Sequence, residues 1–292
     1  MISKNLKNYE LLDSGLGRKL ETIAGVRVIR PSPQAIWKPR LTEANWQMAN
    51  SVVHRTKDGG GTWEHKKPIA DTLTFDHLIH NKSMKMKLKF TSFGHCGVFF
   101  EQIEVWNWLF EQVTALKEKL GRAPRVMNLF GYTGGASLAM ALAGAEVFHV
   151  DSSKGVLVWG KESQALSKIP EKSIRWVQED AQEFLRHSFK KNFVYDGVLA
   201  DPPSWGHGVK KEVWEFDKHM TVFMDLLHAT IEKNNSFIFL SSHTHGVQQE
   251  ALRNLLAQDK RWKSLECGEL GVAHQNDERI LPAGIYCRGR SF

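Results

Sequence analysis

The stretch "NLFGYTGGASLAMALAGAEVFHVD", Asn128–Asp151, decides the fold. It opens inside an apolar run, Arg125 to Phe130, that reads as a short buried strand. Gly131, Gly134 and Gly135 stud the turn that follows. From Gly135 to Ala143 the chain is rich in alanine and leucine and reads as a helix, closed by Gly144. "EVFHVD" is then a second strand. Strand, glycine turn, helix and strand in that order predict one unit of a doubly wound α/β sheet.

The same alternation continues outward. "GVLVWGKESQAL" reads as a helix, "SIRWVQ" as strand three, "AQEFLRHSF" as a helix and "YDGVLA" as strand four. "TVFMDLLHATI" places apolar residues at 222, 223, 226 and 227 on one helical face. "SFIFLSS" is strand five, "QQEALRNLLA" a further helix, and "WKSLECG" and "GIYCRG" are two last β-like runs. Upstream, Glu111 to Leu120 reads as a helix stopped by Gly121 and Pro124. Before residue 110 the texture changes to short strand-like runs, with alternation at Val26 and Val28 and again at Met84, Met86, Leu88 and Phe90. Asp58 to Gly61, "DGGG", reads as a loop. The expected organisation is a small β-rich domain over 1–109 and an α/β domain over 110–292.

Composition narrows the function. The chain has 292 residues, 42% hydrophobic, and a formal net charge of +7. A basic surface suits a polyanionic partner such as nucleic acid. No run of eighteen or more apolar residues occurs and the N-terminus lacks the apolar core of a signal peptide, so neither a membrane span nor a leader is expected. Cys96, Cys267 and Cys287 show no CxxC or zinc spacing, which fits a reducing cytoplasm.

Ligands of such a sheet bind beyond the carboxyl ends of its strands. The turn after strand one lacks the GxG of a dinucleotide fingerprint, and no lysine follows as in a phosphate loop. Asp151 ends strand two, where an acid accepts from ribose hydroxyls. An acid there without a phosphate cradle points to a nucleoside without phosphates, and S-adenosylmethionine is a ligand of that kind. Asp180 follows strand three, placed to accept from the adenine amine and to cap the helix that starts at Ala181. "LADPPSWGHG" ends strand four: Pro202 and Pro203 fix the backbone, and their carbonyls with the Asp201 carboxylate form a cluster of acceptors suited to an amino group or ring N–H of a base.

In "NLFGYTGGASLAMALAGAEVFHVDSSK", "VQEDAQEFL" and "DPPSWGHG", with "FGHCGVFFEQ" upstream and "RILPAGIYCRG" at the end, the sequence resembles class I S-adenosylmethionine-dependent methyltransferases. Within them it is similar to the branch of bacterial 23S ribosomal RNA base methyltransferases that includes the cytosine-C5 enzyme. The resemblance implies a Rossmann-like seven-stranded sheet, S-adenosylmethionine as cofactor with S-adenosylhomocysteine as product, and RNA, ribosomal RNA in particular, as partner. It implies that Phe130, Gly131, Thr133 and Gly134 line the methionine and ribose, that Asp151 binds the ribose hydroxyls, and that Asp180 reaches the adenine. Asn128, Ser152, Ala181 and, from "FFEQ", Gln102 beside Glu101 complete the cofactor set. Asp201, Pro202 and Pro203 would lie at the transferred methyl.

One departure bears on mechanism. Cytosine-C5 transfer needs a thiolate that attacks the ring. The relatives carry a cysteine after strand five, where this chain reads "LSSHTHG" with Ser242 in its place. A serine hydroxyl is far less ionised, and Cys96 reads as a buried structural thiol. Direct in-line transfer to a nitrogen is therefore expected. Trp205, which stacks on a base or packs its own loop, joins His207, Ser242 and His243 as substrate-side candidates. His243 and His245 lack a third ligand, so no metal is expected. The rival readings are a methyltransferase for a small molecule or protein and a noncatalytic RNA-binding protein on the same scaffold.

Overall fold

The computed structural model describes residues 1–55, 60–209 and 213–292. The chain divides into two compact units, Met1–Glu104 with Leu270–Ala283, and Val105–Glu269 with Gly284–Phe292. The structural division thus falls five residues before the one drawn from texture at 109/110, and it assigns a late segment to the first unit.

The first unit is β-rich. Tyr9–Gly15, Arg18–Ile23, Val26–Pro31, Ser51–Arg55 and Gly61–His65 form a five-stranded sheet in chain order, and Thr74–Ile79 pairs with Lys82–Lys87 as a hairpin. Met84 and Met86 are buried on that hairpin, as their alternation predicts. Ile2–Ser3 pairs in parallel with Gly271 and Val272. The late segment is fastened by charge: Arg279 donates to Asp13 at 2.8 Å and to Asp277 at 2.6 Å, and His274 Nε2 meets Ser14 Oγ at 2.8 Å. Of the expected loop "DGGG", Asp58 and Gly59 lie outside the described residues, and Gly61 begins a strand.

The second unit carries α1 (Ile103–Leu120) from Val105 onward, β1 (Arg125–Leu129), α2 (Gly135–Ala143), β2 (Glu146–Asp151), α3 (Lys154–Leu166), β3 (Ile174–Gln178), α4 (Ala181–Lys190), β4 (Gly197–Ala200), α5 (Phe216–Ala229), β5 (Phe237–Ser242), α6 (Gln249–Ala257), β6 (Ser264–Ala273) as far as Glu269 and β7 (Ile280–Arg290) from Gly284. These seven strands lie in the order β6-β7-β5-β4-β1-β2-β3. All pairs from β5 to β3 are parallel, and β7 runs antiparallel to β5. The order reverses between β1 and β4, which opens a crevice at that end of the sheet. Phe184 and Leu185 of α4, Phe223, Met224 and Leu227 of α5, and Leu252 and Leu256 of α6 are buried in one cluster with Met127, Val198 and Ile238. Each such side chain contributes about 1.5–3 kcal/mol on burial.

Two helices begin earlier than the sequence reading placed them. α1 starts eight residues before Glu111, because Val105, Trp106, Leu109, Val113 and Leu116 make one continuous buried face. α5 starts at Phe216, carried by buried Phe216 and Met220. The two last strands are 10 and 11 residues long, far beyond the short runs "WKSLECG" and "GIYCRG". Their neighbouring course brings Cys267 and Cys287 together, Cα atoms 4.0 Å apart, in a disulfide. Cys96 is a free, buried thiol.

Candidate active site

Register builds the site's edge. Leu129 pairs with Val150 on one side and Ala200 on the other, and Ala200 pairs with Leu240. The residues that follow these, Phe130, Asp151, Asp201 and Ser241, therefore stand along one rim at the carboxyl ends of four adjacent strands. Three of them were expected from sequence; Ser241 was not.

At the β1 end the turn is strained and tightly underpinned. Phe130 and Tyr132 both hold left-handed backbone, φ 57° and φ 50°, on either side of Gly131. Non-glycine residues pay roughly 1–2 kcal/mol for that conformation, and it is retained where surroundings fix it. Here Gly131 N–H donates to the Val150 carbonyl at 3.0 Å, and Tyr132 N–H donates to Asp151 Oδ2 at 2.9 Å. The Phe130 ring packs on Trp214 and Phe223, with centroids 5.0 and 5.7 Å away.

The glycines answer to what lies beneath the turn. A Cβ on Gly131 would sit 2.4 Å from Cε1 of His149, and one on Gly134 would sit 2.6 Å from the Trp176 ring. Gly134 also holds φ +85° as the N-cap of α2, which has no side-chain cap. A Cβ on Gly135 would meet Trp106 at 2.2 Å. Close approach of a ligand is therefore not the only reason for glycine here. Under the turn runs a buried polar chain: Asn128 Nδ2 donates to Ser137 Oγ at 2.9 Å, and Ser137 Oγ meets His149 Nδ1 at 2.9 Å. Burial pushes the His149 imidazole down to about 3, against the opposing pull of the Tyr132 backbone, so it is neutral. Thr133 is buried as well.

Asp151, at the end of β2, ties the turn to the next helix, because Oδ1 accepts from Ser153 N–H at 2.9 Å while Oδ2 holds Tyr132. Burial raises its carboxyl above the ordinary value, partly offset by those two N–H donors. Asp180 caps α4, accepting from Gln182 N–H at 2.9 Å and Glu183 N–H at 3.1 Å, and Ala181 is the buried first residue of that helix. The capping half of its double reading is thus present in the structure.

Beyond β4, Asp201 and the prolines lead into a hairpin, Trp205–His207 paired with Val213–Glu215, which the sequence reading missed. Trp214 Nε1 donates to the Pro203 carbonyl at 2.7 Å, and Ser152 Oγ donates to the His207 carbonyl at 3.1 Å. The Pro203 carbonyl is therefore engaged within the protein and leaves the acceptor cluster that the sequence suggested. Trp205 is 58% exposed, with its ring 4.5 Å from that of His207.

Asp201 is held by β5. Ser241 Oγ donates to Asp201 Oδ1 at 2.7 Å, and His243 Nε2 stands 3.3 Å from the same oxygen. Burial works to raise the carboxyl, but the His243 charge and the two hydrogen bonds hold it below its ordinary value. Ser242, at the position the resemblance associates with a cysteine, is buried, and its Oγ accepts from Thr244 N–H at 3.1 Å. Strand alternation sends adjacent serines to opposite faces, so it is Ser241 that meets the acid. Gln102 and Glu101 belong to the first unit, in the short 3-10 turn Phe100–Gln102, where Gln102 is buried. Among the described residues, no group of three or more His, Cys, Asp or Glu side chains is placed to hold a metal ion, and no helix is long and apolar enough to cross a membrane.

Three comparisons bear on this rim. A family model described as RNA cap guanine-N2 methyltransferase matches residues 123–275. The crystal structure of a SAM-dependent methyltransferase from Agrobacterium tumefaciens is 33% identical, with a TM-score of 0.92, over 100% of this chain and 93% of that one. A putative methyltransferase crystallised with S-adenosylhomocysteine shares the fold at 15% identity, TM-score 0.72, over 98% of this chain and 76% of its own. Among curated proteins, the ribosomal RNA large subunit methyltransferase K/L of Shewanella sp. strain MR-4 is 27% identical over 256 residues, 81% of this chain and 34% of that protein. Its counterpart in Shewanella baltica strain OS155 is 30% identical over 189 residues, 62% of this chain and 25% of that protein. The chain spans about a third or less of the length of these curated relatives.

Proposed function

The chain belongs to the S-adenosylmethionine-dependent methyltransferases, in the family described as RNA cap guanine-N2 methyltransferase, and from that premise we propose that it methylates a nitrogen of a base in RNA, with ribosomal RNA as substrate, by direct in-line transfer. S-adenosylmethionine supplies an electrophilic methyl group. The residues fit it. Asp151 offers a carboxylate at the end of β2, Asp180 a second acid beyond β3, and α2 an N-terminus without a side-chain cap for an anionic group. Phe130, Gly131, Thr133 and Gly134 line the methionine and ribose, with Asn128 supporting them from below. Asp151 and Ser152 take the ribose, and Asp180 and Ala181 the adenine.

The observation that carries the nitrogen acceptor is the Asp201 carboxylate. It is kept ionised by Ser241 and His243 at the rim beside the β1 turn. A carboxylate so placed accepts from an amino group and orients its nitrogen lone pair toward the methyl. Orientation and electrostatics are what in-line transfer asks of a protein. The thiols support the same reading: Cys267 and Cys287 are joined to each other, and Cys96 is buried in the first unit. Trp205 and His207 stack on the acceptor base or its neighbour, which is splayed from the RNA. The β-rich first unit helps to present the RNA in the cytoplasm. Mass spectrometry of ribosomal RNA nucleosides, with and without the gene, tests this. A single methylated nucleoside should vanish on deletion, and identical profiles would remove ribosomal RNA as the substrate.

A further inference from the structure

We infer that His149 is a positioning residue for the cofactor: held by Ser137 as the Nε2–H tautomer, it closes a hydrogen bond to the Tyr132 carbonyl when the cofactor seats on the turn after β1, and so ties occupancy of the site to the left-handed backbone there. The inference rests on the placement of the cofactor over that turn proposed above, and adds to it a residue that acts from beneath.

The imidazole presents the edge that carries both nitrogens to the turn. A Cβ on Gly131 would lie 2.4 Å from Cε1, 2.7 Å from Nδ1 and 3.0 Å from Nε2, and one on Gly134 would lie 3.5 Å from Cε1. The Trp176 ring packs against the imidazole with its centroid 4.3 Å away, and its own Nε1 donates to Gln164 Oε1 at 2.8 Å. The direction of the bonds under the turn fixes the proton. Asn128 Nδ2 has only hydrogens to give, so Ser137 Oγ accepts from it at 2.9 Å. The Ser137 hydroxyl proton is then left for His149 Nδ1, also 2.9 Å away. Nδ1 therefore accepts. Burial keeps the ring neutral, so its one proton sits on Nε2.

That Nε2 is buried and completes no hydrogen bond among the described residues. A buried donor left in this state is destabilising, and few native structures retain one. An aliphatic residue would suit so buried a strand position better than an imidazole with one nitrogen unused. The Tyr132 backbone pulls the ring's proton affinity upward, as a carbonyl beside a ring N–H does. With Nδ1 engaged by Ser137, Nε2 is the nitrogen that meets it. Tyr132 is also the residue whose N–H holds Asp151 Oδ2 at 2.9 Å, and it keeps φ 50°, a left-handed angle that a side chain disfavours. An acceptor on its N–H and a donor under its carbonyl fix both ends of that residue. His149 thus acts through Tyr132 on the carboxylate proposed to take the ribose.

Calorimetry with S-adenosylhomocysteine on the full chain separates this role from packing. His149→Phe keeps a ring against Trp176 and has no donor. His149→Gln keeps a donor and fills the space less well. The expected loss of affinity is about tenfold in His149→Phe, the worth of one hydrogen bond, and at most about threefold in His149→Gln. A ring that merely fills the core predicts the reverse order, with the phenylalanine variant the better binder. Urea unfolding checks that each variant is folded, and nitrogen-15 NMR of the wild-type histidine side chains decides the matter if either is not. His149 should report the Nε2–H tautomer, and its Nε2 proton should move downfield and exchange more slowly when S-adenosylhomocysteine is added. An Nδ1–H tautomer, an Nε2 proton that the ligand leaves unmoved, or a glutamine variant that binds no better than the phenylalanine one overturns the inference. Backbone amides of residues 131–134 that shift while the Nε2 proton does not strike the inference alone. If the ligand binds and those amides are unmoved as well, the placement of the cofactor over the turn falls with it.

Discussion

Gly131→Ala separates two reasons for glycine in the turn after β1. The new methyl would lie 2.4 Å from Cε1 and 2.7 Å from Nδ1 of His149. That imidazole has nowhere easy to go: it is fully buried, its centroid is 4.3 Å from that of Trp176, and Nδ1 is bonded to Ser137. Overpacking a filled core costs about 1–3 kcal/mol, and pulling the ring off Ser137 adds about 1 kcal/mol. Gly131 itself does not hold left-handed backbone, so no conformational penalty enters. The expected destabilisation is about 3 kcal/mol, a fall in Tm of roughly 6–12 °C for a unit of this size. Urea unfolding of Gly131→Ala, His149→Ala and the double variant measures it. Removing the ring removes the clash, so the double variant should be more stable than the two single losses predict, by at least about 1 kcal/mol. If glycine is there solely to let the cofactor near the backbone, Gly131→Ala should weaken S-adenosylhomocysteine binding in calorimetry and leave unfolding untouched. That outcome, or additivity in the cycle, would refute the packing argument.

Other consequences are as direct. Asp151→Ala should reduce S-adenosylhomocysteine affinity at least tenfold by calorimetry, about 1.4 kcal/mol, and unchanged affinity would take Asp151 out of the cofactor site. In the first unit, burial would raise the Glu21 carboxyl, but the Arg30 and Lys19 charges, with hydrogen bonds from Arg30 and Tyr9, hold it at about 2. Because that value lies below the ordinary 4.5, Glu21 stabilises the fold fully above pH 4.5 and progressively less as pH falls toward 2. Glu21→Gln leaves Arg30 buried without its counter-charge and should cost about 3–5 kcal/mol at neutral pH; a loss below 1 kcal/mol in urea unfolding would contradict the pairing. Replacing Cys96, Cys267 and Cys287 together by serine should leave methyl transfer measurable in a radiolabel assay, since the proposed in-line transfer has no step that requires a thiolate. Abolished transfer by a folded triple variant would restore a covalent mechanism.

Much of the fold around the candidate cofactor rim was legible in the sequence because its signals are local. Strand, turn and helix succeed one another within Asn128–Ala143, and Gly131, Asp151 and Asp180 each sit at the end of a run whose period announces a strand or precedes a helix. The purpose of the glycines was less legible. His149 and Trp176 lie on later strands, and nothing in "GYTGG" says which ring will come to lie under it. The hairpin after Pro203 escaped notice because its strands are three residues each, too short for alternation to show. The early start of α1 was hidden by tryptophans, which strand and helix patterns both accept, until burial showed one face.

The acceptor side depends on parity and register, which spacing along the chain does not reveal. Ser241 and Ser242 are chemically alike and adjacent, yet alternation lets just one of them meet Asp201. The deciding fact is that Ala200 pairs with Leu240; a slip of one residue would exchange the two serines and turn His243 away from the acid. Gly284 lies 41 residues beyond His243 in sequence and reaches it because β7 runs antiparallel to β5, with Ile285 opposite Ser242. A family pattern that places a nucleophile after strand five therefore does not transfer to this chain by position alone. The residue at that position closes a turn with Thr244, while its neighbours on either side, Ser241 and His243, reach the carboxylate. On the proposed reading, adjacent residues on one strand end take different roles, Ser241 and His243 at the carboxylate and Ser242 in the turn, and parity alone decides which does which.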